Sequence, residues 1–245
     1  METSDTNKKI SVIIAAAGSS SRLGKCGKNI SKQFILLDDK PLLIYSLEKF
    51  SLLPDVIEII VVTNDISATG ELLKKYDFSS RIKVQLIQGG DLRQDSVYNG
   101  FCKAEPMVDL VLIHDVARPL FDIRDVKKCI EEALLSGAAI LAVPVIDTLK
   151  KGRQVDGKFE SGGTLEREGL YLIQTPQVFS HNLLEEAYKV YRDSSIFTDE
   201  AGMVELFGKS VNLVMGSRKN IKITYPEDLE IASAILKEME NQCLV

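Results

Sequence analysis

The sequence is poor in the groups on which many enzymes depend. Its 245 residues include two histidines, His114 and His181, and four cysteines, Cys26, Cys102, Cys129 and Cys243. The cysteines form no C-x-x-C pair, and with so few imidazoles this argues against a zinc site. They are read as reduced thiols, Cys129 as a core residue and Cys26 as a spacer. No run approaches the roughly 18 apolar residues that a membrane-spanning helix needs, so no membrane association is expected. The N-terminal METSDTNKK is polar and carries no signal-like apolar stretch, which predicts a cytoplasmic protein. The formal net charge is −5, which argues against a dedicated nucleic-acid binder, since such proteins usually carry a basic face; a nucleotide site needs only a few local cations. No Ser/His/Asp set and no glycosidase-like pair of carboxylates stands out.

A core is amply provided for, with 45% hydrophobic residues. Short apolar runs at Ser11–Ala17, Val56–Thr63, Ile82–Ile87, Leu110–Ile113 and Ala138–Val145 read as buried strands. Between them, Pro41–Leu53 and Asp122–Leu135 read as helices. The second places Val126, Cys129, Ile130, Ala133 and Leu134 at helical spacing, with Asp122 as cap and Gly137 beyond its end. This alternation predicts an α/β fold, a mainly parallel twisted sheet flanked by helices. Asp147–Gly163 breaks the pattern, being polar with a DG turn signal, and reads as a protruding β-hairpin arm. Beyond it a strand is expected near Leu170–Gln174, helices near Ser180–Arg192 and Asp199–Phe207, a strand at Val211–Met215, and a last helix from Pro226 with a Thr224/Glu227 capping box. Residues 8–240 are taken as one domain, with 147–164 as the arm.

Chemistry concentrates where strands end, the edge of an open parallel sheet that holds ligands. Ile10–Lys32, ISVIIAAAGSSSRLGKCGKNISK, runs from a strand into small residues and then Arg22 and Lys32. Its backbone N–H groups suit phosphate oxygens, although an ordinary strand-to-helix turn reads the same way. It matches neither G-x-x-x-x-G-K-[ST] nor G-x-G-x-x-G, so it is neither a P-loop nor a dinucleotide fingerprint. In QGGDLRQDSV, Gly89 and Gly90 permit close approach, with Asp91, Arg93 and Ser96 at the rim. A carboxylate or carbonyl there suits the exocyclic amine of cytosine, while helix capping explains Asp91 equally well. In LIHDVARP, Asp115 ends a strand and is a candidate Mg2+ contact, since Mg2+ takes one or two carboxylates and fills its octahedron with phosphate oxygens and water. Lys222, between Ile221 and Ile223, projects toward solvent or a cleft if the segment is an alternating strand. A phosphate cradle, one carboxylate and several cations fit in-line transfer at phosphorus, where positioning and charge neutralisation do most of the catalysis.

The ordered blocks AAAGSSSRLG…SKQF, GGDLRQDSV, VLIHDVARP, PVIDTLK, TLEREGLY…TPQVF, TDEA and NIKIT-x-PEDL resemble the 2-C-methyl-D-erythritol 4-phosphate cytidylyltransferase family over nearly the whole chain. The resemblance implies a Rossmann-like nucleotidyltransferase fold and a homodimer joined through the arm. It implies transfer of cytidylyl from CTP to methylerythritol phosphate with Mg2+, releasing pyrophosphate, in non-mevalonate isoprenoid synthesis. Carried over by motif, Arg22, Lys32 and Lys222 would neutralise the phosphates, and Asp115 would hold Mg2+. Ala16, Ala17, Gly18, Gly90, Asp91 and Ser96 would surround the nucleotide. Arg118, Thr198 and Asp199 would shape the acceptor pocket, and Arg167 would reach that pocket in the neighbouring subunit. The chain has Ser31-Lys32-Gln33 where the family usually has Pro-Lys-Gln, and extra lysines, Lys25 and Lys28, in a longer preceding loop. Lys28 is therefore a second candidate for the lysine at the α-phosphate. Two other readings remain open at this point, a ribitol 5-phosphate cytidylyltransferase and a non-catalytic nucleotide-binding protein.

Overall fold

Seven strands form one sheet in the order β11-β7-β10-β6-β1-β4-β5 in the computed structural model, which describes residues 8–18, 31–76, 82–192 and 197–243. These strands are β1 (Ile10–Ala15), β4 (Val56–Thr63), β5 (Lys83–Gln88), β6 (Leu110–Asp115), β7 (Ala138–Pro144), β10 (Tyr171–Ser180) and β11 (Asn212–Met215). β1 pairs in parallel with both β4 and β6, and β11 in parallel with β7. β1, β4 and β6 are almost entirely buried. Their continuous β-branched and leucine runs are what a sheet covered on both faces requires. Helix α1 (Leu42–Ser51) and α4 (Ile123–Ser136) cover one face, meeting it through Leu43, Leu47, Phe50, Val126 and Cys129. The other face is covered by α3 (Arg93–Phe101), α5 (His181–Tyr191) and α6 (Glu200–Leu206), through Val97, Phe101, Leu184, Tyr188 and Met203. A third cluster joins α7 (Pro226–Cys243) to the ribbon of β2 (Leu36–Leu37) and β3 (Lys40–Pro41).

The α4 expectation holds in detail. Asp122 accepts from the Arg124 N–H, and Gly137 closes the helix in the left-handed conformation at φ 86°. Cys129 is buried there, and burial together with Glu132 pushes its thiol pKa up to about 12. Four readings need correction. The strand expected near Leu170–Gln174 is the longer β10, which runs antiparallel to both β6 and β7 between them. Helix α2 (Ile66–Leu73), capped by Asp65, lies in a stretch with no predicted element. The last helix is not opened by a Thr224/Glu227 box. Instead Asp228 accepts from the N–H groups of Thr224 and Tyr225 at 2.7 and 2.8 Å. The segment around Lys222 is not a strand; the Ile223 N–H donates to the Ala117 carbonyl at 2.8 Å and ties it to the end of β6.

The arm is a hairpin of β8 (Leu149–Val155) and β9 (Lys158–Leu165). Its two turn residues, Asp156 and Gly157, both have positive φ (50° and 77°), the requirement of a type I′ turn. Nearly all of the hairpin is exposed, and Phe159 is 84% exposed.

Candidate active site

The C-terminal ends of β1, β4 and β6 and the loop after β5 open onto a cavity of about 440 Å³. Ala17 and Gly18 follow β1, Asn64 follows β4, Gly90 and Asp91 follow β5, and Asp115 ends β6. Lys32 and Lys222 complete the wall from outside the sheet. A smaller cavity of about 160 Å³ adjoins it, lined by Arg118, Thr175, Thr198 and Asp199. Arg93, Asp115 and Lys222 line both. Two compartments therefore share one wall, and that wall carries one carboxylate between two cations.

The glycine loop is shaped by contact. A Cβ on Gly89 would lie 2.4 Å from the Ala17 Cβ, and one on Gly90 2.4 Å from the Asp95 Cβ. Neither position accepts a side chain without displacing the loop. Ser96 Oγ accepts from Gly90 N–H at 3.0 Å and donates to the Leu92 carbonyl at 3.1 Å, pinning the loop to α3. The cap at this end of α3 is Asp95, which accepts from Leu92 N–H at 3.1 Å. Capping therefore does not explain Asp91, which faces the larger cavity. Asn64 Nδ2 donates to the Ala17 carbonyl at 2.9 Å. It is a wall residue that the sequence reading passed over.

Asp115 is almost wholly buried. Arg93 Nε donates to its Oδ1 at 3.2 Å and Lys222 Nζ to its Oδ2 at 2.6 Å. Burial acts to raise its pKa, but Arg93 and Lys222 outweigh that and hold it well below the usual carboxylate range. Arg93 Nη1 also donates to Glu200 Oε2 at 2.9 Å. Burial alone would lower the Arg93 pKa; the two carboxylates, Glu200 and Asp115, raise it instead. Lys32 is nearly buried, and its Nζ donates to the Ile223 carbonyl at 2.8 Å. Next to it, Gln33 Nε2 donates to Thr63 Oγ1 at 2.8 Å, which anchors the Lys32 backbone to the end of β4.

Behind Asp115, the strand end is fixed by a chain through β10. Asp115 N–H donates to Thr175 Oγ1 at 3.0 Å, and Thr175 Oγ1 lies 3.1 Å from His114 Nδ1. His114 Nε2 faces the Arg118 carbonyl, an acceptor, at 3.1 Å. Nε2 therefore carries the proton, and the Thr175 hydroxyl donates to Nδ1. His114 packs edge-on to Phe50 and Phe121, and burial pushes its pKa down to about 3. It is a neutral structural group. An unfolded histidine takes up a proton near pH 6.5, so between pH 6.5 and 3 the unfolded chain holds more protons than the folded one, and stability falls as pH falls. Asp115 acts in the same direction, but only below about pH 4. Lowering pH from 7 to 5 is expected to remove about 2 kcal/mol through His114. Urea unfolding of wild type and His114→Gln at both pH values checks this; an unchanged difference in the variant would refute it.

Of the residues singled out from the sequence, Ala17, Gly18, Lys32, Gly90, Asp91, Ser96, Asp115 and Lys222 meet at the larger cavity. Arg118, Thr198 and Asp199 meet at the smaller one. Arg118 is held by donating to the carbonyls of Asn220 and Ile173 at 2.8 and 3.2 Å. Asp199 caps α6 and accepts from Gln177 at 2.7 Å. Ala16 is not at the cavity. It is fully buried in the core, and its N–H is used by the Val62 carbonyl at 2.8 Å. Arg167 lines neither cavity; its guanidinium donates to the Ile146 carbonyl at the base of the arm. Arg22, Lys25, Cys26 and Lys28 lie outside the described residues. No cluster of three or more His, Cys, Asp or Glu able to hold a metal exists among the described residues.

Over residues 10–238 the chain matches the family model described as 2-C-methyl-D-erythritol 4-phosphate cytidylyltransferase. It is similar to the protein of that name from Alkaliphilus metalliredigens, 39% identical over 96% of this chain and 97% of the relative. The one from Clostridioides difficile is 40% identical over 92% of this chain and 93% of the relative. Among solved structures, the 4-diphosphocytidyl-2C-methyl-D-erythritol synthase of Anaerococcus prevotii superposes with a TM-score of 0.77 at 31% identity, covering 94% of this chain and 97% of that one. The 2-C-methyl-D-erythritol 4-phosphate cytidylyltransferase of Thermus thermophilus gives 0.74 at 32% identity, covering 94% and 99%.

Proposed function

Because the chain belongs to the 2-C-methyl-D-erythritol 4-phosphate cytidylyltransferase family and so joins CTP to 2-C-methyl-D-erythritol 4-phosphate in isoprenoid biosynthesis, we propose that the two cavities divide the substrates between them. CTP takes the larger and the acceptor the smaller, so that the reacting phosphorus meets its nucleophile at Asp115 and Lys222. The single observation carrying this assignment is the wall that both cavities share.

In the reaction, a phosphate oxygen of the acceptor attacks the α-phosphorus of CTP. A P–O bond forms, the bond to the β-phosphate breaks, and its electron pair leaves with pyrophosphate. The nucleophile is already anionic near neutral pH, so no general base is needed. The barrier comes largely from repulsion between anions. Lys32, held by the Ile223 carbonyl, and Lys222, half exposed beside Asp115, are placed to neutralise the triphosphate; by its motif Arg22 adds to them. Ala17, Gly18, Gly90 and Asp91 surround the base and ribose, with Ser96 fixing the glycine loop. Arg118, Thr198 and Asp199 shape the acceptor side.

The residues present fit a divalent cation held mainly by phosphate. Asp115 is ionised, faces the larger cavity, and has acceptor capacity beyond its two hydrogen bonds. It is the residue that would hold Mg2+, which supplies charge neutralisation on the phosphates.

The enzyme works as a homodimer through the arm, in the cytoplasm. An isolated two-stranded hairpin is marginal in water, and this one continues into the exposed apolar run Leu170, Tyr171, Leu172. Docking on a second subunit buries that surface and carries Arg167 toward the partner's acceptor pocket. Pyrophosphate release with CTP and Mg2+ tests the acceptor assignment. Turnover is expected with methylerythritol 4-phosphate and not with ribitol 5-phosphate; the reverse preference would overturn it. A monomeric mass at working concentration would overturn the dimer.

A further inference from the structure

Glu200 has no place in the chemistry just described. It lines neither cavity, yet it is fully buried and its Oε2 accepts from Arg93 Nη1 at 2.9 Å. Burying a carboxylate is unfavourable even when it is paired, and such pairs rarely add net stability over an apolar replacement. The pair does impose geometry. A guanidinium is a rigid planar fork, and here its Nε points to Asp115 Oδ1 at 3.2 Å while Nη1 is anchored on Glu200. On the other side of Asp115, Oδ2 meets Lys222, whose side chain is 41% exposed. The two partners of Asp115 therefore differ in freedom. Arg93 is locked from behind by a buried acid, whereas Lys222 can turn toward an incoming triphosphate and release its oxygen.

We propose that Glu200 is a positioning residue: by anchoring Arg93 it holds Asp115 Oδ1 and presents Oδ2 as the oxygen that takes the divalent cation when CTP enters. The inference rests on the reading that Asp115 binds that cation. Glu200 has a second effect of the same sign. The Glu200 carboxylate is a counter-ion of Arg93, so loss of its charge leaves an added positive charge beside the metal position. It also leaves Arg93 drawn to the triphosphate, which Glu200 otherwise prevents.

The test is Mn2+ binding, measured by electron paramagnetic resonance on the full-length enzyme saturated with a CTP analogue carrying a methylene α–β bridge. Glu200→Gln keeps the shape and removes the charge. Its Mn2+ affinity is expected to fall about tenfold, as for loss of other groups that orient a metal ligand, while affinity for the analogue without metal does not fall. The double variant Arg93→Gln/Glu200→Gln restores charge balance without the fork and remains weakened; it serves equally if the single variant does not fold. Recovery of wild-type Mn2+ affinity in the double variant would reduce the effect to net charge and overturn positioning. Asp115→Asn is measured alongside. Weak binding there with wild-type binding in Glu200→Gln overturns this proposal and leaves the Asp115 assignment standing. Wild-type binding in Asp115→Asn removes that assignment and this proposal with it.

Discussion

Asp115→Asn is expected to lower CTP-dependent pyrophosphate release by about 10³-fold, a loss of several kcal/mol of barrier stabilisation. Asparagine preserves volume and can still accept from Arg93. It cannot contribute negative charge to a cation, and its amide would face the Lys222 ammonium that Oδ2 now meets at 2.6 Å. Lys222 then loses the partner that holds it at the wall between the cavities. The substitution leaves Arg93 paired with Glu200 at 2.9 Å, so the buried guanidinium is not abandoned and the fold is expected to survive. Thermal unfolding monitored with the kinetics separates the two effects. A folded variant turning over within a few-fold of wild type would remove Asp115 from the centre of the reaction.

Lys32→Ala is expected to cost about 3 kcal/mol of barrier, near 10²-fold in rate, the scale of one lost preorganised donor. The expectation rests on how little freedom this lysine has. Its ammonium is almost buried and donates to the Ile223 carbonyl, one residue from Lys222, while Gln33 is bound to Thr63. A charge fixed before the substrate arrives need not be reorganised in the transition state. The loss should therefore fall mainly on kcat rather than KM. Lys28→Ala measured in parallel decides between the two lysines, and a larger loss from that change would transfer the role to Lys28.

Much of the fold was legible because burial writes itself into composition. β1, β4 and β6 are covered on both faces and read as uninterrupted apolar runs, and α4 shows its buried stripe at helical spacing with both caps in place. β10 was only half legible. Pro176 interrupts its middle, and proline argues against a central strand. The structure accommodates it where the pairing with β7 breaks register, between Ile173 and Gln177. Helix α2 escaped because it is short, contains a glycine and buries only Thr69. At the site, the rule that ligands gather beyond strand ends brought out Asp115 and the Gly89–Gly90 loop. It could not bring out Thr175 or Glu200. A threonine inside a strand and an acid in the first turn of a helix have ordinary structural uses, and only the meeting of β10 with β6, and of α6 with α3, gives them others.

The placement of β10 also orders events on the ribosome. Strands β1, β4, β5 and β6 are contiguous in the sheet and complete by Asp115, so that half can assemble while the rest is still being made. β6 then keeps an open edge until β10 emerges; Thr175 is 60 residues further along than the Asp115 it will hold. An unpaired strand edge invites pairing with other chains, and here the exposed edge is the one that ends in Asp115. The arm, which lies within that interval, doubles as the turnaround that returns the chain antiparallel to close it. Lys222 arrives later still. A nascent chain can thus complete the strand ends that line the larger cavity well before Lys222 is added to its wall.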